Sequence, residues 1–336
     1  MAYQNIGSSP RFFIDNNLFL SANGLDPITP SHSPIVGGEI HNLSPGSYSE
    51  YSLDGWLYFY IGTGELLEYS YFAVLGHNIA DLPSNFNFYS TPAIPIGDVI
   101  LSVNYYPDSP IECNGWSLFA FEKNSVPRTI WFGYPGGIAS APNLKISSFS
   151  LGSTYTMPHS PDLKLTMSRE YGGTKTIETR GGASLTNTMW SKPPKWGDLG
   201  AWELSKNGAE SQELFQSQEL SRSGRRVWDL SFSYLQDSDV FPLLSSLTPH
   251  ESVDVDGIPW SEGNNWESSL LLKSDNFYSQ VIHKLNGGQN RFLFQADSSN
   301  NNPDQFAIAK LDMNSFKFEQ VANGVYNVKL KIREVW

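Results

Sequence analysis

Six histidines, one cysteine and 34 acidic residues are the groups that could carry chemistry in this 336-residue chain. The histidines are His32, His41, His77, His159, His250 and His283. None falls in the His-x-x-x-His or Glu-x-x-His spacing that sets two metal ligands on one helix face. Cys113 stands alone, which excludes an intrachain disulfide and a cysteine-based zinc site. His77 lies in Gly76-His77-Asn78, just after the apolar run Tyr71–Leu75. A histidine there has the chemistry of a base or a metal ligand. No serine or cysteine nucleophile motif accompanies it, and it reads as a turn whose imidazole and amide satisfy backbone groups. Asp254-Val255-Asp256-Gly257 with Glu262 offers oxygens suited to calcium. Ser252 stands where the first aspartate belongs, and Glu262 falls five residues after Gly257 rather than six, so the segment reads as an acidic surface turn. Pairs such as Glu65/Glu68 and Asp237/Asp239 have the residue type of glycoside hydrolysis. With 34 acids in the chain, chance supplies such pairs. No Gly-x-Ser-x-Gly, phosphate loop or dinucleotide fingerprint occurs. The expectation is a non-enzymatic protein with no cofactor and no metal.

Tryptophan is the more informative residue type. Trp190, Trp196 and Trp202 surround Pro193-Pro194, and Trp260 and Trp266 lie in a second loop-like stretch. Exposed, such a loop would stack on sugar or on a neighbouring subunit. Buried, it would plug a core. The preference of tryptophan for contact surfaces favours an inter-subunit or inter-domain role, so these five are the candidate interface residues. The short basic runs Lys175–Arg180 and Arg222–Arg226 lack stacked aromatics and read as interface or surface charges, not a nucleic-acid platform.

The elements that must position these residues are strands. In Val227–Leu235, large apolar side chains fall at Trp228, Leu230, Phe232 and Tyr234, a period of two with one face buried. Tyr326, Val328, Leu330 and Ile332 alternate in the same way with polar residues near the C-terminus. Arg291–Gln295 and Asp304–Lys310 are shorter candidates between them. Earlier candidates are Trp56–Ile61, Glu68–Leu75, Val99–Tyr106, Ser117–Glu122, Thr129–Phe132, Asn143–Phe149 and Ser150–Pro158. Turn residues recur roughly every ten positions, as in sandwiches. Ser168–Thr179 alternates weakly, and Arg180-Gly181-Gly182 reads as a turn or bulge. The fold class is all-β, with two antiparallel sandwich or barrel domains. Residues 1–50 form an arm with a short strand or two over Phe12-Phe13-Ile14 and Leu18-Phe19-Leu20. Residues 51–158 form a jelly-roll-like sandwich. Residues 159–336 form a second β domain, with a long aromatic loop at 186–224 and an insertion at 245–270.

Composition narrows the partners. Charged residues make up 17%, below the usual quarter, while aromatics reach 14%. Such a surface suits contact with protein or sugar. The net charge of -12 disfavours nucleic acid. Positions 1–160 carry 4 Lys/Arg against 12 Asp/Glu, a net of -8, and positions 161–336 carry 18 against 22, a net of -4. The basic residues thus concentrate in the second half. The N-terminus lacks a basic region followed by an apolar run, so no signal peptide is expected. No apolar window approaches membrane-spanning length, so no membrane span is expected.

Two groups of segments carry a family resemblance. Tyr71-Phe72-Ala73-Val74-Leu75-Gly76-His77-Asn78-Ile79, with Thr129-Ile130-Trp131-Phe132-Gly133 and Ser148-Phe149-Ser150-Leu151-Gly152, resembles strands of the discoidin-like, galactose-binding-like sandwiches of phage virion proteins. Trp228–Leu235 with Arg291–Phe294, Phe306–Lys310 and Tyr326–Val335 resembles the terminal sheet of tail-tube and tail-hub ring proteins. The resemblance covers about two-thirds of the chain, and the segment 186–224 departs from it. It implies a tailed-phage virion structural protein, made in the host cytoplasm and sited in the tail, tail tip or baseplate. Its partners would be copies of itself and other virion proteins. A host surface glycan or a place on the capsid as a decorating protein are the alternatives. The resemblance supplies no active-site residues.

Overall fold

Arg11-Phe12-Phe13-Ile14-Asp15 is the strand on which the largest sheet is built. The computed structural model describes residues 6–24, 28–30, 33–37, 40, 43, 48–52, 57–61, 67–78, 87–91, 101–104, 111–113, 116–124, 129–133, 143–170, 174–188, 225–242, 274–301 and 305–335. Eleven strands form one antiparallel sheet: β1 (Arg11–Asp15), β5 (Tyr69–Leu75), β8 (Ile111–Cys113), β9 (Trp116–Asn124), β12 (Ser148–Thr156), β13 (Thr166–Glu170), β16 (Arg225–Gln236), β17 (Phe292–Gln295), β18 (Phe306–Leu311), β19 (Phe318–Ala322) and β20 (Val325–Glu334). The order is β13-β16-β20-β18-β17-β1-β12-β5-β9-β8, with β19 also paired to β20.

Strand β1 lies between β12 and β17, with Phe12 opposite Tyr155 on one side and Phe294 on the other. The arm therefore supplies a central strand. It joins the two halves that the sequence reading divided at 158/159, and hydrogen bonding runs through that boundary. Phe12 and Phe13 point to opposite faces, as strand geometry requires. Phe12 packs with Phe277, Phe292 and Phe294, at ring distances of 6.0, 5.6 and 5.3 Å. Phe13 meets Tyr71 at 5.2 Å on the other face. Apolar clusters cover both faces here, so β1 is a continuous apolar run with no alternation to mark it.

Leu18–Leu20, expected as strand, is helical. Helix α1 (Asn16–Ala22) starts at once because the Asp15 carboxylate accepts hydrogen bonds from the backbone N–H groups of Asn17 and Leu18. That is an N-cap, and it turns the chain out of the sheet.

A second sheet runs β2 (Ile28–Pro30), β4 (Leu57–Ile61), β10 (Thr129–Gly133), β6 (Asn87–Thr91) and β7 (Leu101–Asn104). It meets the large sheet through Phe59 and Phe149, 5.2 Å apart, and Phe149 reaches Phe72 at 5.0 Å. This is sandwich packing, with side chains of two sheets filling one core. The short pair β3 (Ser49–Tyr51) and β11 (Leu144–Ile146) adds Tyr51 to Phe59 at 5.5 Å.

Two hairpins have well-defined turns. β19 and β20 are joined through Asn323-Gly324, with Gly324 at φ +66°, the left-handed conformation that primed hairpin turns need. β14 (Thr174–Glu178) and β15 (Ser184–Thr188) form a separate two-stranded ribbon. Its turn is closed by Thr179 N to Ala183 O at 2.8 Å and Gly182 N to Thr179 O at 2.9 Å. The turn expected at Arg180-Gly181-Gly182 is thus present.

The alternation in β16 breaks at its end. Trp228, Leu230 and Phe232 are buried, but Tyr234 is 72% exposed and Leu235 takes the next inward place. The register against β20 shifts between Phe232 and Leu235, a β-bulge, with Tyr234 at φ +62°. One extra residue changes which side chains face the core.

Candidate interaction surfaces and buried polar nodes

The residues singled out from sequence meet different fates. Trp190, Trp196, Trp202, Trp260 and Trp266 lie outside the described residues, as do Asp254–Gly257 and Glu262. His77 is buried, and burial pushes its imidazole down to about 3, so it is neutral at physiological pH. Gly76 precedes it at φ +61°. The neighbouring Asn78 bridges two chain segments: its Nδ2 donates to the carbonyl of Asn143 at 3.0 Å, and its Oδ1 accepts from Lys145 N at 2.8 Å. The Gly-His-Asn turn thus stitches the end of β5 to β11.

Arg226, expected at the surface, is buried. Its guanidinium pairs with Glu334 and donates to the Phe306 carbonyl at 2.6 Å. It also lies over the Trp228 ring at 5.1 Å. The strand places it inward at the β18–β20 junction, and the carboxylate of Glu334 makes that burial tolerable. Asp237 and Asp239, one of the acidic pairs, lie in the first turn of a short helix α2 (Asp237–Val240), where Asp239 accepts from Gln236 N at 2.9 Å. That is a capping role.

Two buried polar nodes had no sequence signal. On one face, Lys284 Nζ donates to Ser153 Oγ at 3.0 Å and to Gln280 Oε1 at 2.8 Å, and Ser153 Oγ donates to Gln280 Oε1 at 3.1 Å. A serine beside a lysine amine is the composition of a nucleophile and base. The lysine donates to the serine, and the serine proton is aimed at the amide oxygen. All three are buried, so the node ties the π-helix Tyr278–His283 and the following Lys284 to β12. Lys284 also contributes to lowering the pKa of His283, after burial as the larger cause.

On the other face, Asp15 is buried beside Tyr71 and Ser150. Tyr71 Oη and Ser150 Oγ are 2.8 Å apart. Burial raises the Asp15 carboxyl to about 7, against the opposing hydrogen bonds from Leu18, Ser150, Asn17 and Leu151. Burial, followed by the charge on Asp15, raises the Tyr71 phenol well above its ordinary range. Among the described residues no group of three or more His, Cys, Asp or Glu side chains could hold a metal ion. No described helix is long and apolar enough to cross a membrane.

The surface is more informative than these nodes. The large sheet is an open path. Among the described residues, β13 at one end and β8 at the other each pair on one side only. The ribbon β14–β15 pairs with no other described strand. Its central cross-strand pair is Ile177 and Leu185, 54% and 61% exposed. On the opposite face Thr176 Oγ1 and Thr186 Oγ1 lie 3.1 Å apart. Tyr234 stands on the bulge, its N–H held by Asn327 Oδ1 at 3.1 Å. Next to it, Ser233 Oγ donates to Asp162 Oδ2 at 2.8 Å.

Comparison with protein-family models, with curated proteins and with solved structures finds no match for this chain.

Proposed function

We propose that this protein is a non-enzymatic structural subunit of a tailed-phage virion, assembling with its own copies into a ring or tip of the tail. The observation that carries the reading is the eleven-stranded sheet, which among the described residues is open at both ends, with those ends in different halves of the chain. An open edge presents a row of unpaired N–H and C=O groups, and a neighbouring copy satisfies them by adding strands. Contact between two different patches, repeated from copy to copy, closes into a ring when the rotation divides a full turn. The low charged fraction and the aromatic load suit large protein contacts. The tryptophan segments are proposed to widen that contact. The test is mass spectrometry of purified virions, with antibody labelling in electron micrographs. Label on the tail supports the reading. Label on the capsid lattice would make the chain a decorating protein, and absence from particles would remove the virion role altogether.

Tyr234 favours a second reading, glycan recognition by a fibre or baseplate component. An exposed aromatic ring flanked by Asp162, Ser233 and Asn327 has the mix of stacking face and polar groups that sugars need. A glycan array probed with the intact protein and with Tyr234→Ala checks it. A signal that survives the substitution removes Tyr234 from the site.

A further inference from the structure

An Asn-Gly step carries its own chemistry. Glycine has no Cβ to obstruct its backbone nitrogen, which can close on the amide carbon of the preceding asparagine side chain. Five such steps occur in this chain, at Asn23, Asn114, Asn207, Asn286 and Asn323. Asn114 and Asn207 lie outside the described residues. The other three share the same two residue types, so what separates them is how the fold holds the reacting atoms. Two are held firmly. At the end of α1, Asn23 Nδ2 donates to the Phe19 carbonyl at 2.7 Å and Gly24 N to the Ser21 carbonyl at 3.0 Å. After the π-helix, Gly287 N donates to the carbonyl of the buried Ile282 at 3.0 Å, and Asn286 N donates to that of His283 at 3.0 Å. Ring closure at either step would break bonds that satisfy the last carbonyls of a helix.

Asn323 sits in a different setting. It is exposed, at the tip of the β19–β20 hairpin. Among the described residues β19 pairs with β20 alone, and Glu319–Ala322 are all exposed. Phe318, at the far end of the strand, is the residue that packs inward, 4.9 Å from Phe241. The bond tying the turn to α2 runs through the Gly324 carbonyl, which accepts from Asp237 N at 2.9 Å. It engages the carbonyl and not the attacking nitrogen. A hairpin tip with little buried surface opens at a small fraction of the global unfolding free energy.

We infer that Asn323 is a self-modification site, deamidating through Gly324 when the hairpin tip opens. The Gly324 nitrogen gives its proton to solvent and bonds to Asn323 Cγ. The Cγ–Nδ2 bond breaks, and Nδ2 leaves as ammonia with a proton taken from solvent. The product is a cyclic imide. Water then opens the ring at one of its two carbonyls, leaving either aspartate or isoaspartate, and no oxidant or reductant takes part. Either product puts a carboxylate one residue from the bond that holds Asp237. Isoaspartate also adds a methylene to the main chain, which shifts the turn and weakens the hold of the Gly324 carbonyl on α2.

The test ages the purified full chain in buffer and, in parallel, in urea. Peptides spanning Asn23, Asn286 and Asn323 are then mapped by mass spectrometry for aspartate and isoaspartate. In the folded chain Asn323 should convert at least about ten-fold faster than Asn23 or Asn286, and in urea the three rates should draw together. Equal rates in the folded chain, or a lead by Asn23 or Asn286, overturn the inference. An Asn323 that stays intact in buffer and converts in urea also overturns it, because the hairpin would then be a shield. Phe318→Ala loosens the anchored end of β19 and should raise the Asn323 rate several-fold while the other two keep theirs. An unchanged Asn323 rate in that variant overturns hairpin opening as the route.

Discussion

Arg226 and Glu334 form a buried two-pronged ion pair, with Nη2 2.7 Å from Oε1 and Nε 3.2 Å from each carboxylate oxygen. The Arg226 backbone N–H donates to Oε2 at 2.8 Å as well. One carboxylate therefore fastens the start of β16 to the end of β20, while the guanidinium reaches β18 through the Phe306 carbonyl. Breaking such a pair leaves a charge with no partner, which costs far more than the pair contributes net. Glu334→Leu should lower unfolding stability by about 3–5 kcal/mol, and Arg226→Met in the same chain should recover most of that loss. Urea unfolding of the two variants decides. A double variant as weak as the single one would mean that lost packing, not the stranded charge, is the cause.

Asp15 should make the protein less stable as pH rises. Its folded-state pKa is raised by burial to about 7, above its ordinary 3.8. Between those values the folded state holds a proton that the unfolded state has lost, so stability falls as pH increases through this window and stays lower above it. Asp15→Asn keeps a capping oxygen for Asn17 and Leu18 and removes the charge. It should gain up to about 4 kcal/mol relative to the parent at pH 8 and nothing at pH 4. Thermal unfolding of both proteins across that range checks the sign. A gain that is the same at both pH values would show that the carboxyl does not titrate there.

Gly152 lies opposite both Asp15 on β1 and Tyr71 on β5. A Cβ added there would overlap the Ile14 carbonyl oxygen and come within 2.8 Å of Asn16 N. Both neighbours are backbone, one in β1 and one at the start of α1, and cannot swing aside. Gly152→Ala should therefore cost at the upper end of about 1–3 kcal/mol, or more, by chemical denaturation. A neutral result would mean that β1 can shift against β12.

Tyr234 holds a left-handed backbone conformation that costs a non-glycine residue about 1–2 kcal/mol. Tyr234→Asn, with a residue that tolerates this region, should raise unfolding stability by about 1 kcal/mol. If stability drops instead, the exposed ring is packing on its own chain. If it rises while glycan binding or assembly falls, the strain is maintained for recognition.

The Asp297 carboxylate offers an acid-side contrast. Burial alone would raise its pKa, but bonds from Ser299, Ser8 and Gly7 together hold it below the usual carboxylate range. Ser8 Oγ and Gly7 N come from the N-terminal arm, so the charged form pins that arm to the loop after β17. A group with a lowered folded pKa contributes stability above its unfolded value and loses it as pH falls. Asp297→Asn should therefore flatten the acid limb of the stability curve, read by urea unfolding from pH 5 downward. An unchanged acid limb would remove Asp297 from that role.

Local sequence sufficed for the all-β class, for β16 and β20, and for the turns at His77 and at 180–182. Each of these depends on neighbouring residues: alternation of period two, a glycine free to take positive φ, a run of turn formers. The same reasoning failed where a residue's surroundings come from distant parts of the chain. β1 shows no alternation because clusters assembled from both halves cover its two faces. Arg226 looks like any surface arginine until Glu334, 108 residues later, arrives beside it. Tyr234 follows the inward pattern by position, and a bulge set by pairing with β20 turns it outward. Periodicity reports that a strand has two unlike faces. Only the folded sheet decides which strand lies beside which, which faces are covered, and which described strands end the sheet.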